Sequence, residues 1–216
     1  MSALEVSPYW QPALPLMAIL RGIRPGDALA HVSTLIGMGF DAIEIPLNST
    51  DWETSLKAVL GRFGERTWIG GGTVLELAQA DRLKALSARL MVAPNVRPAL
   101  IRHAVTLGLT AIPGIATPTE AFEALDAKAQ ALKIFPAGSL GPCFVRALRA
   151  VLPPVPLYAV GGVTPENLGA FLAAGCAGAG LGNQLYQPDQ PLSRTETMAR
   201  AYLEAFREAK RQQGAP

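Results

Sequence analysis

The run ALKIFP at residues 131–136 is typical of a short buried strand, except that it contains Lys133. Burying an ammonium group among apolar side chains costs several kcal/mol unless the group is paired or loses its proton. A desolvated amine has a lowered pKa and is a better nucleophile at neutral pH, as Schiff-base formation with a carbonyl compound requires. Lys133 is therefore a candidate nucleophile. The alternative is an edge strand whose lysine faces water.

Outward from this run, short apolar segments alternate with amphipathic ones along the whole chain. The apolar runs lie at 16–20, 42–46, 68–69, 90–93, 109–112, 131–136, 157–160 and 177–181, and the predicted helices cover about 25–38, 51–63, 75–86, 98–107, 142–151 and 193–212, with two more opening at 117 and 164. Eight continuous apolar strands, each followed by a helix, predict an α/β fold, a single closed (β/α)8 TIM barrel. A doubly wound open sheet is the alternative, but no strand is followed by a dinucleotide-binding fingerprint.

Length and composition agree with one barrel domain over residues 1–216, with an N-terminal extension at 1–15 and a final helix at 193–212. The net charge of +2 includes no basic run, so we expect neither nucleic acid nor a membrane surface as a partner. No apolar stretch could span a bilayer, and the start of the chain lacks a signal-peptide pattern, which predicts a cytoplasmic protein. Cys143 and Cys176 are expected to be reduced, buried thiols.

Glu44 repeats the anomaly of Lys133, because it lies between two isoleucines in the second apolar run. Active sites of such barrels form at the carboxyl ends of the strands, where both side chains could point inward and approach each other. The functional interpretation gives Lys133 the attack on a ketone and Glu44 the proton transfers. A purely structural ion pair between the two is the alternative.

Glycine-rich loops follow the last two strands, at Gly161-Gly162 and around Gly182-Asn183. Glycine lets backbone N–H groups approach a phosphate, and these are the loops that hold phosphate in such barrels. Tight turns without a ligand are the alternative.

A second glycine run, GGGT at 70–73, offers N–H groups and the Thr73 hydroxyl to a carboxylate, and Arg21 after the first strand could bind either anionic end or pair on the rim. His31 and His103 are expected to be ordinary surface or interface residues on helices. No residue set has metal-ligand spacing, so no metal or other cofactor is predicted.

Five motifs together resemble the pyruvate-releasing class I aldolases of the 2-keto-3-deoxy-6-phosphogluconate aldolase family. They are IEIPLNS at 43–49, GTVL at 72–75, KIFP at 133–136, AVGGVTPEN at 159–167 and AGAGLG at 177–182. The resemblance implies a metal-independent, typically homotrimeric lyase that acts on a phosphorylated 2-keto-3-deoxy sugar acid and releases pyruvate. It also implies roles for the candidate residues: Lys133 as Schiff-base lysine, Glu44 as proton shuttle, Thr73 on the pyruvyl carboxylate, Arg21 on the substrate, and Gly161, Gly162, Gly182 and Asn183 on the phosphate.

Two positions bear on which substrate the resemblance implies. Gluconate-type relatives usually carry Arg and Thr where this chain has Asn48 and Val160, as galactonate-type relatives do. We therefore expect cleavage of 2-dehydro-3-deoxy-6-phospho-D-galactonate to pyruvate and D-glyceraldehyde 3-phosphate. A gluconate-type or dual-specificity aldolase and a non-catalytic sugar-phosphate-binding barrel are the alternatives. Asn183 departs from the serine usual at its position, which bears on one phosphate contact.

Overall fold

Strands and helices alternate along residues 9–214, the part of the chain that the computed structural model describes. The strands are β1 (Leu16–Ile19), β2 (Ala42–Pro46), β3 (Trp68–Gly72), β4 (Leu90–Val92), β5 (Thr110–Ile112), β6 (Gly114–Ile115), β7 (Leu132–Ile134), β8 (Leu157–Val160) and β9 (Gly178–Leu181). The helices are α1 (Pro25–Gly37), α2 (Trp52–Phe63), α3 (Leu77–Ala85), α4 (Pro98–Thr106), α5 (Pro118–Asp126), α6 (Ala137–Arg149), α7 (Pro165–Ala173) and α8 (Leu192–Gly214).

The sheet is a parallel barrel with eight strand positions. Its hydrogen-bonded order is β5-β4-β3-β2-β1-β9-β8-β7-β6, and every pairing is parallel. The two ends of this order, β5 and β6, are consecutive pieces of one chain segment separated by Pro113 alone. Proline has no N–H to give to a ladder, which accounts for the break. The predicted (β/α)8 barrel is confirmed. The additional strand, β6, continues the fifth strand after Pro113.

Two helices differ in part from the predictions. α6 consists of two helical pieces separated at Gly141, whose φ of 74° is accessible to glycine without steric cost. The second piece begins after Gly141, at Pro142 as predicted, and the short first piece from Ala137 was not predicted. The helix predicted from Leu75 begins two residues later, because Glu76 caps it and the Gln79 side chain accepts hydrogen bonds from the backbone N–H groups of residues 75 and 76.

The amino end of the barrel is closed by Trp10, which lies in the region predicted as an extension. Its side chain is only 4% exposed, and its ring centroid lies 5.2 Å from that of Tyr158 and 6.2 Å from that of Trp68. Together with apolar side chains from six of the barrel strands, Trp10 forms the inner core. Residues 1–8 of the predicted extension lie outside the described residues. Trp10 thus fills the interior at the amino end of the barrel.

The remaining core lies between the strands and the surrounding helices. Cys176 belongs to this core and is buried, as predicted, but Cys143 on α6 is exposed, so the prediction of two buried thiols is wrong for Cys143. Neither thiol is in a disulfide. Among residues 9–214, no helix is both long enough and apolar enough to cross a bilayer.

Candidate active site

Lys133 lies at the centre of β7 and is only 5% exposed. Its strand pairs with β6 on one side and β8 on the other, so β7 is not an edge strand and that alternative is wrong. Leu132 and Ile134 pack outward against the helices, whereas Ala131 belongs to the inner core. Since side chains alternate along a strand, Lys133 points into the barrel.

Glu44 occupies the matching position on the opposite wall. It is 1% exposed, and its neighbours Ile43 and Ile45 pack outward while Ala42 belongs to the inner core. β2 and β7 are four positions apart in either direction around the eight-position barrel. The carboxylate and the amine therefore face each other across the interior.

The electrostatics of this pair are governed by burial. Desolvation lowers the pKa of the Lys133 ammonium, the nearby Glu44 carboxylate opposes this shift, and the Arg21 guanidinium adds to it. Desolvation also raises the pKa of Glu44, against the opposing fields of Lys133 and Arg21. Burial therefore favours the neutral amine, which is the nucleophilic form, and a carboxyl group that can carry a proton.

No hydrogen bond or ion pair joins Lys133 to Glu44, although both residues lie within the described range and each shifts the pKa of the other. Glu44 Oε2 is buried and has no hydrogen-bond partner. An unpaired buried polar atom is costly and needs an explanation, and a catalytic role is one such explanation. The structure therefore contains no ion pair between Lys133 and Glu44, and the alternative of a purely structural pair is wrong.

The glycines before Thr73 make room for the Glu44 side chain. A Cβ atom added to Gly72 would lie 1.6 Å from Glu44 Oε1, and one added to Gly70 would lie 2.0 Å from the Leu90 carbonyl oxygen. Gly70–Gly72 form part of β3 and pair within the sheet. These glycines therefore have a steric role in the sheet, and the carboxylate cradle at residues 70–73 stays a prediction.

Arg21 and Thr73 meet at the rim of the barrel. The Arg21 guanidinium donates a hydrogen bond of 2.6 Å to Asn48 Oδ1 and weaker ones of 3.4 Å to Thr73 Oγ1. Thr73 has a φ of 56°, which is unusual for a β-branched residue and typical of strained functional positions. Arg21 is exposed and close enough to affect the pKa values of both buried groups.

The Gly161-Gly162 turn lies next to Phe135, which connects it to the lysine. Both glycines have positive φ, 83° and 80°, and the Gly161 carbonyl accepts a hydrogen bond of 2.8 Å from Gly138 N–H. Lys133 Nζ lies 5.0 Å from the centroid of the Phe135 ring, and a Cβ at Gly161 would lie 3.0 Å from that ring. These positive φ values show that the turn itself needs glycine.

Gly182 and Asn183 follow β9, the strand beside β8, so their loop adjoins the Gly161-Gly162 turn at the same end of the barrel. The Gly182 carbonyl accepts hydrogen bonds from the N–H groups of Leu185 and Tyr186, and Asn183 is exposed. Gly182 does not have a positive φ, and an added Cβ would meet no atom within 4 Å. Neither backbone conformation nor packing within the described chain accounts for this glycine.

The predicted residues thus form two groups at the carboxyl end. Lys133, Glu44, Arg21 and Thr73 converge on the barrel mouth, and the two glycine loops lie side by side. Sequence reasoning did not include Phe135 among the site residues, although it lies within the KIFP motif quoted above. It considered Asn48 only for its bearing on the substrate and Gly72 only as an N–H donor, not for their contacts with Arg21 and Glu44. These two contacts join different segments of the barrel, which spacing along the chain does not reveal.

The two histidines differ from each other. His31 is 5% exposed and lies between α1 and α8, so its prediction as a surface or interface residue is wrong. His103 is partly exposed and pairs with Asp81 at 2.7 Å. No cluster of three or more His, Cys, Asp or Glu side chains suited to a metal ion is found over the described range.

The closed parallel barrel with a lysine and a glutamate buried at its mouth defines a (β/α)8 enzyme scaffold. Residues 11–197 match the family model "Aldolase: KDPG and KHG aldolase". The chain therefore belongs to the KDPG and KHG aldolase family, whose members are carbon–carbon lyases, and the family expected from the sequence motifs is confirmed.

Individual relatives agree with this family over almost the whole chain. The 2-dehydro-3-deoxy-6-phosphogalactonate aldolase of Escherichia coli (strain K12) is 54% identical over 201 residues, covering 93% of this chain and 98% of that protein. A probable enzyme of the same name from Rhizobium meliloti (strain 1021) is 47% identical, covering 89% and 91%. A solved structure described as native KDPGal has 53% identity and a TM-score of 0.92, covering 94% of this chain and 99% of that one.

The contact between Gly72 and Glu44 yields a prediction. Gly72→Ala places a methyl group where Glu44 Oε1 lies, so the carboxylate must move. Lyase activity should then fall by a factor of about 100, as expected for loss of general acid–base catalysis. Steady-state pyruvate release measures this, with circular dichroism as the check on folding. Gly61→Ala on α2 is the matched control, because its Cβ meets no atom within 4 Å. Full activity of folded Gly72→Ala would show that the position of Glu44 is not critical.

Proposed function

We propose that the chain acts as one catalytic barrel, a class I aldolase that cleaves 2-dehydro-3-deoxy-6-phospho-D-galactonate to pyruvate and D-glyceraldehyde 3-phosphate. The observation that carries the proposal is the buried Lys133 at the barrel mouth, facing a buried Glu44 whose Oε2 atom has no hydrogen-bond partner among residues 9–214. The family match and the names of the two relatives support the reaction and the substrate.

In this proposal, neutral Lys133 attacks the C2 ketone of the substrate and forms a carbinolamine, which loses water to give an iminium ion. The iminium accepts the electron pair released when the bond between C3 and C4 breaks, as the C4 hydroxyl group loses its proton. The aldehyde leaves, the resulting enamine takes a proton at C3, and hydrolysis of the imine releases pyruvate and regenerates the amine.

Glu44 is proposed to transfer the protons in these steps, directly or through water. Its raised pKa suits a group that must both accept and donate protons near neutral pH. Its Oε2 atom has no hydrogen-bond partner among residues 9–214 that would compete for this proton. The side chain sits on a strand of the barrel wall, so its position is fixed by the sheet rather than by a loop.

The two anionic ends of the substrate are proposed to bind at the two groups of residues. Thr73 and Arg21 lie beside the catalytic pair and suit the carboxylate, which adjoins the reacting ketone. Gly161, Gly162, Gly182 and Asn183 suit the phosphate through backbone N–H groups. The absence of an internal reason for glycine at Gly182 supports close approach of a ligand there.

Asn48 and Val160 support the galactonate epimer. Asn48 holds the Arg21 guanidinium at 2.6 Å, and Val160 lies in the inner core just before the glycine turn. An arginine at 48 could not accept this hydrogen bond, so the charge at the mouth would be arranged differently in a gluconate-type site.

Trapping tests the covalent step. Incubation with pyruvate and borohydride should reduce an imine at Lys133 and leave a stable adduct, which peptide mass spectrometry locates. The other four lysines, Lys57, Lys84, Lys128 and Lys210, are internal controls. Folded protein that binds pyruvate without a Lys133 adduct would contradict the imine mechanism. It would instead favour carboxylate-only isomerase chemistry if a sugar phosphate is isomerised, or a non-catalytic binding barrel if none turns over.

A second experiment tests the substrate. We expect kcat/KM for pyruvate release to be at least about 10-fold higher for the galactonate than for the gluconate C4 epimer, the order of discrimination that one polar contact provides. A coupled assay for pyruvate measures both. Equal values would indicate dual specificity, and the reverse preference would indicate a gluconate-type aldolase.

We also propose that the enzyme is a cytoplasmic homotrimer. The family resemblance supports the trimer, and the exposed apolar side chains Leu75, Leu77 and Phe122 provide surface for subunit contacts. Two cysteines without a disulfide agree with a reducing compartment. Light scattering should give three times the chain mass, and a monomer mass at micromolar concentration would contradict the trimer.

A further inference from the structure

The last helix, α8, carries two hydroxyl groups that are buried away from the catalytic pair. Thr195 and Tyr202 are both 0% exposed, and they lie on the side of α8 that faces the barrel. The Thr195 hydroxyl is hydrogen-bonded to Gln190 in the segment after Gly182, and the Tyr202 hydroxyl is hydrogen-bonded to Val163, just after Gly162. The proposed chemistry uses neither residue.

Thr195 is the centre of a hydrogen-bond network that reaches α1. Its Oγ1 atom lies 2.8 Å from Nδ1 of His31 and accepts a hydrogen bond of 2.6 Å from Gln190 Nε2. Burial lowers the pKa of His31, although the Asp27 carboxylate opposes this shift. A neutral imidazole can accept a hydrogen bond from the Thr195 hydroxyl at Nδ1. Thr195 then donates a hydrogen bond to His31 and accepts one from Gln190.

From Gln190 the network continues to the loop after β9. Gln190 Nε2 also donates to the Leu185 carbonyl at 3.0 Å, and its Oε1 accepts from Gln187 N–H at 3.0 Å. The Gln187 side chain in turn donates to the carbonyl of Asn183 at 3.2 Å. A continuous path of hydrogen bonds thus connects His31 and Thr195 to the backbone at Asn183.

Tyr202 supports the other loop. Its hydroxyl donates a hydrogen bond of 2.8 Å to the carbonyl of Val163, the residue directly after the Gly161-Gly162 turn. The same segment is held by Asn167, whose side chain donates to the Gly162 carbonyl at 2.9 Å. Both loops therefore depend on α8 for part of their position.

We propose that Thr195 and Tyr202 are positioning residues, together with His31 and Gln190. They hold the two glycine loops in the conformation that binds the phosphate of the substrate. This inference rests on the proposed function, because it concerns the phosphate end of the same site. The direction of a backbone N–H donor does not change with a side-chain rotamer. It is set by the contacts that fix the conformation of the loop.

The proposal predicts a separation between the two ends of the reaction. Loosening the loops weakens binding of a phosphorylated ligand, whereas Lys133 and Glu44 sit on barrel strands and keep their geometry. Exchange of the pyruvate methyl protons with solvent needs the imine but no phosphate. A purely structural role for the network would lower stability without separating these two readouts.

The test compares Thr195→Val with Thr197→Val. Valine matches the shape of threonine without its hydroxyl. The exposed Thr197 hydroxyl donates a hydrogen bond of 2.9 Å to the Ser193 carbonyl of its own helix and has no other hydrogen-bond partner in the described part of the chain. For Thr195→Val we expect KM for the phosphorylated substrate and Kd for inorganic phosphate, measured by calorimetry, to rise by a factor of about 10, as for loss of a buried hydrogen-bond partner. Pyruvate proton exchange should change less than twofold, and Thr197→Val should match the wild type.

Tyr202→Phe is the second variant and keeps the test decisive if Thr195→Val does not fold. Because Tyr202 contacts the segment after Gly161-Gly162, this variant should also raise KM and the phosphate Kd while leaving pyruvate proton exchange nearly unchanged. A lowered Tm with unchanged KM and phosphate Kd in either folded variant would overturn the proposal, as would an equal loss of cleavage and pyruvate exchange. Calorimetry with phosphate does not require turnover. A wild type that binds phosphate but forms no imine would therefore refute the proposed function, while weaker phosphate binding by the variants would still support the positioning role.

Discussion

The structure depends on keeping one amine and one carboxylate in an apolar interior without letting them pair. Lys133 and Glu44 are both almost completely buried, face each other from opposite walls and form no ion pair. Burial shifts both groups toward their neutral forms, which lessens the cost of desolvation and at the same time makes the amine nucleophilic. A closed barrel can hold two such groups apart because both sit on strands that are hydrogen-bonded on each side.

The two ends of the barrel are built differently. At the amino end, Trp10 fills the interior and the inner core is aromatic and aliphatic. Toward the carboxyl end, the inward-facing Gly72 leaves room for the Glu44 side chain, and a Cβ at the inward-facing Gly180 would lie 2.9 Å from Val160. The polar side chains of Lys133 and Glu44 lie above the apolar inner core. This arrangement lets the same barrel be both a packed core and a site.

Support for the rim comes from outside the barrel. The loops after β8 and β9 contain glycines that the chain needs for turns or that no contact within the described residues explains. Hydrogen bonds from Thr195 and Tyr202 of α8 reach the segments that follow these glycines. The buried pair on the strands and the glycine loops on the rim are thus held by different parts of the molecule.

Strand and helix periodicity and a charge within an apolar run are local properties of the chain, so the barrel, the candidate lysine and glutamate, and the family could be predicted before any coordinates were known. The folded chain was needed to show that Lys133 and Glu44 form no ion pair, that Gly72 makes room for the Glu44 side chain, and that His31 is buried. These features are contacts between strands or helices far apart in sequence, and such contacts depend on the register and closure of the sheet.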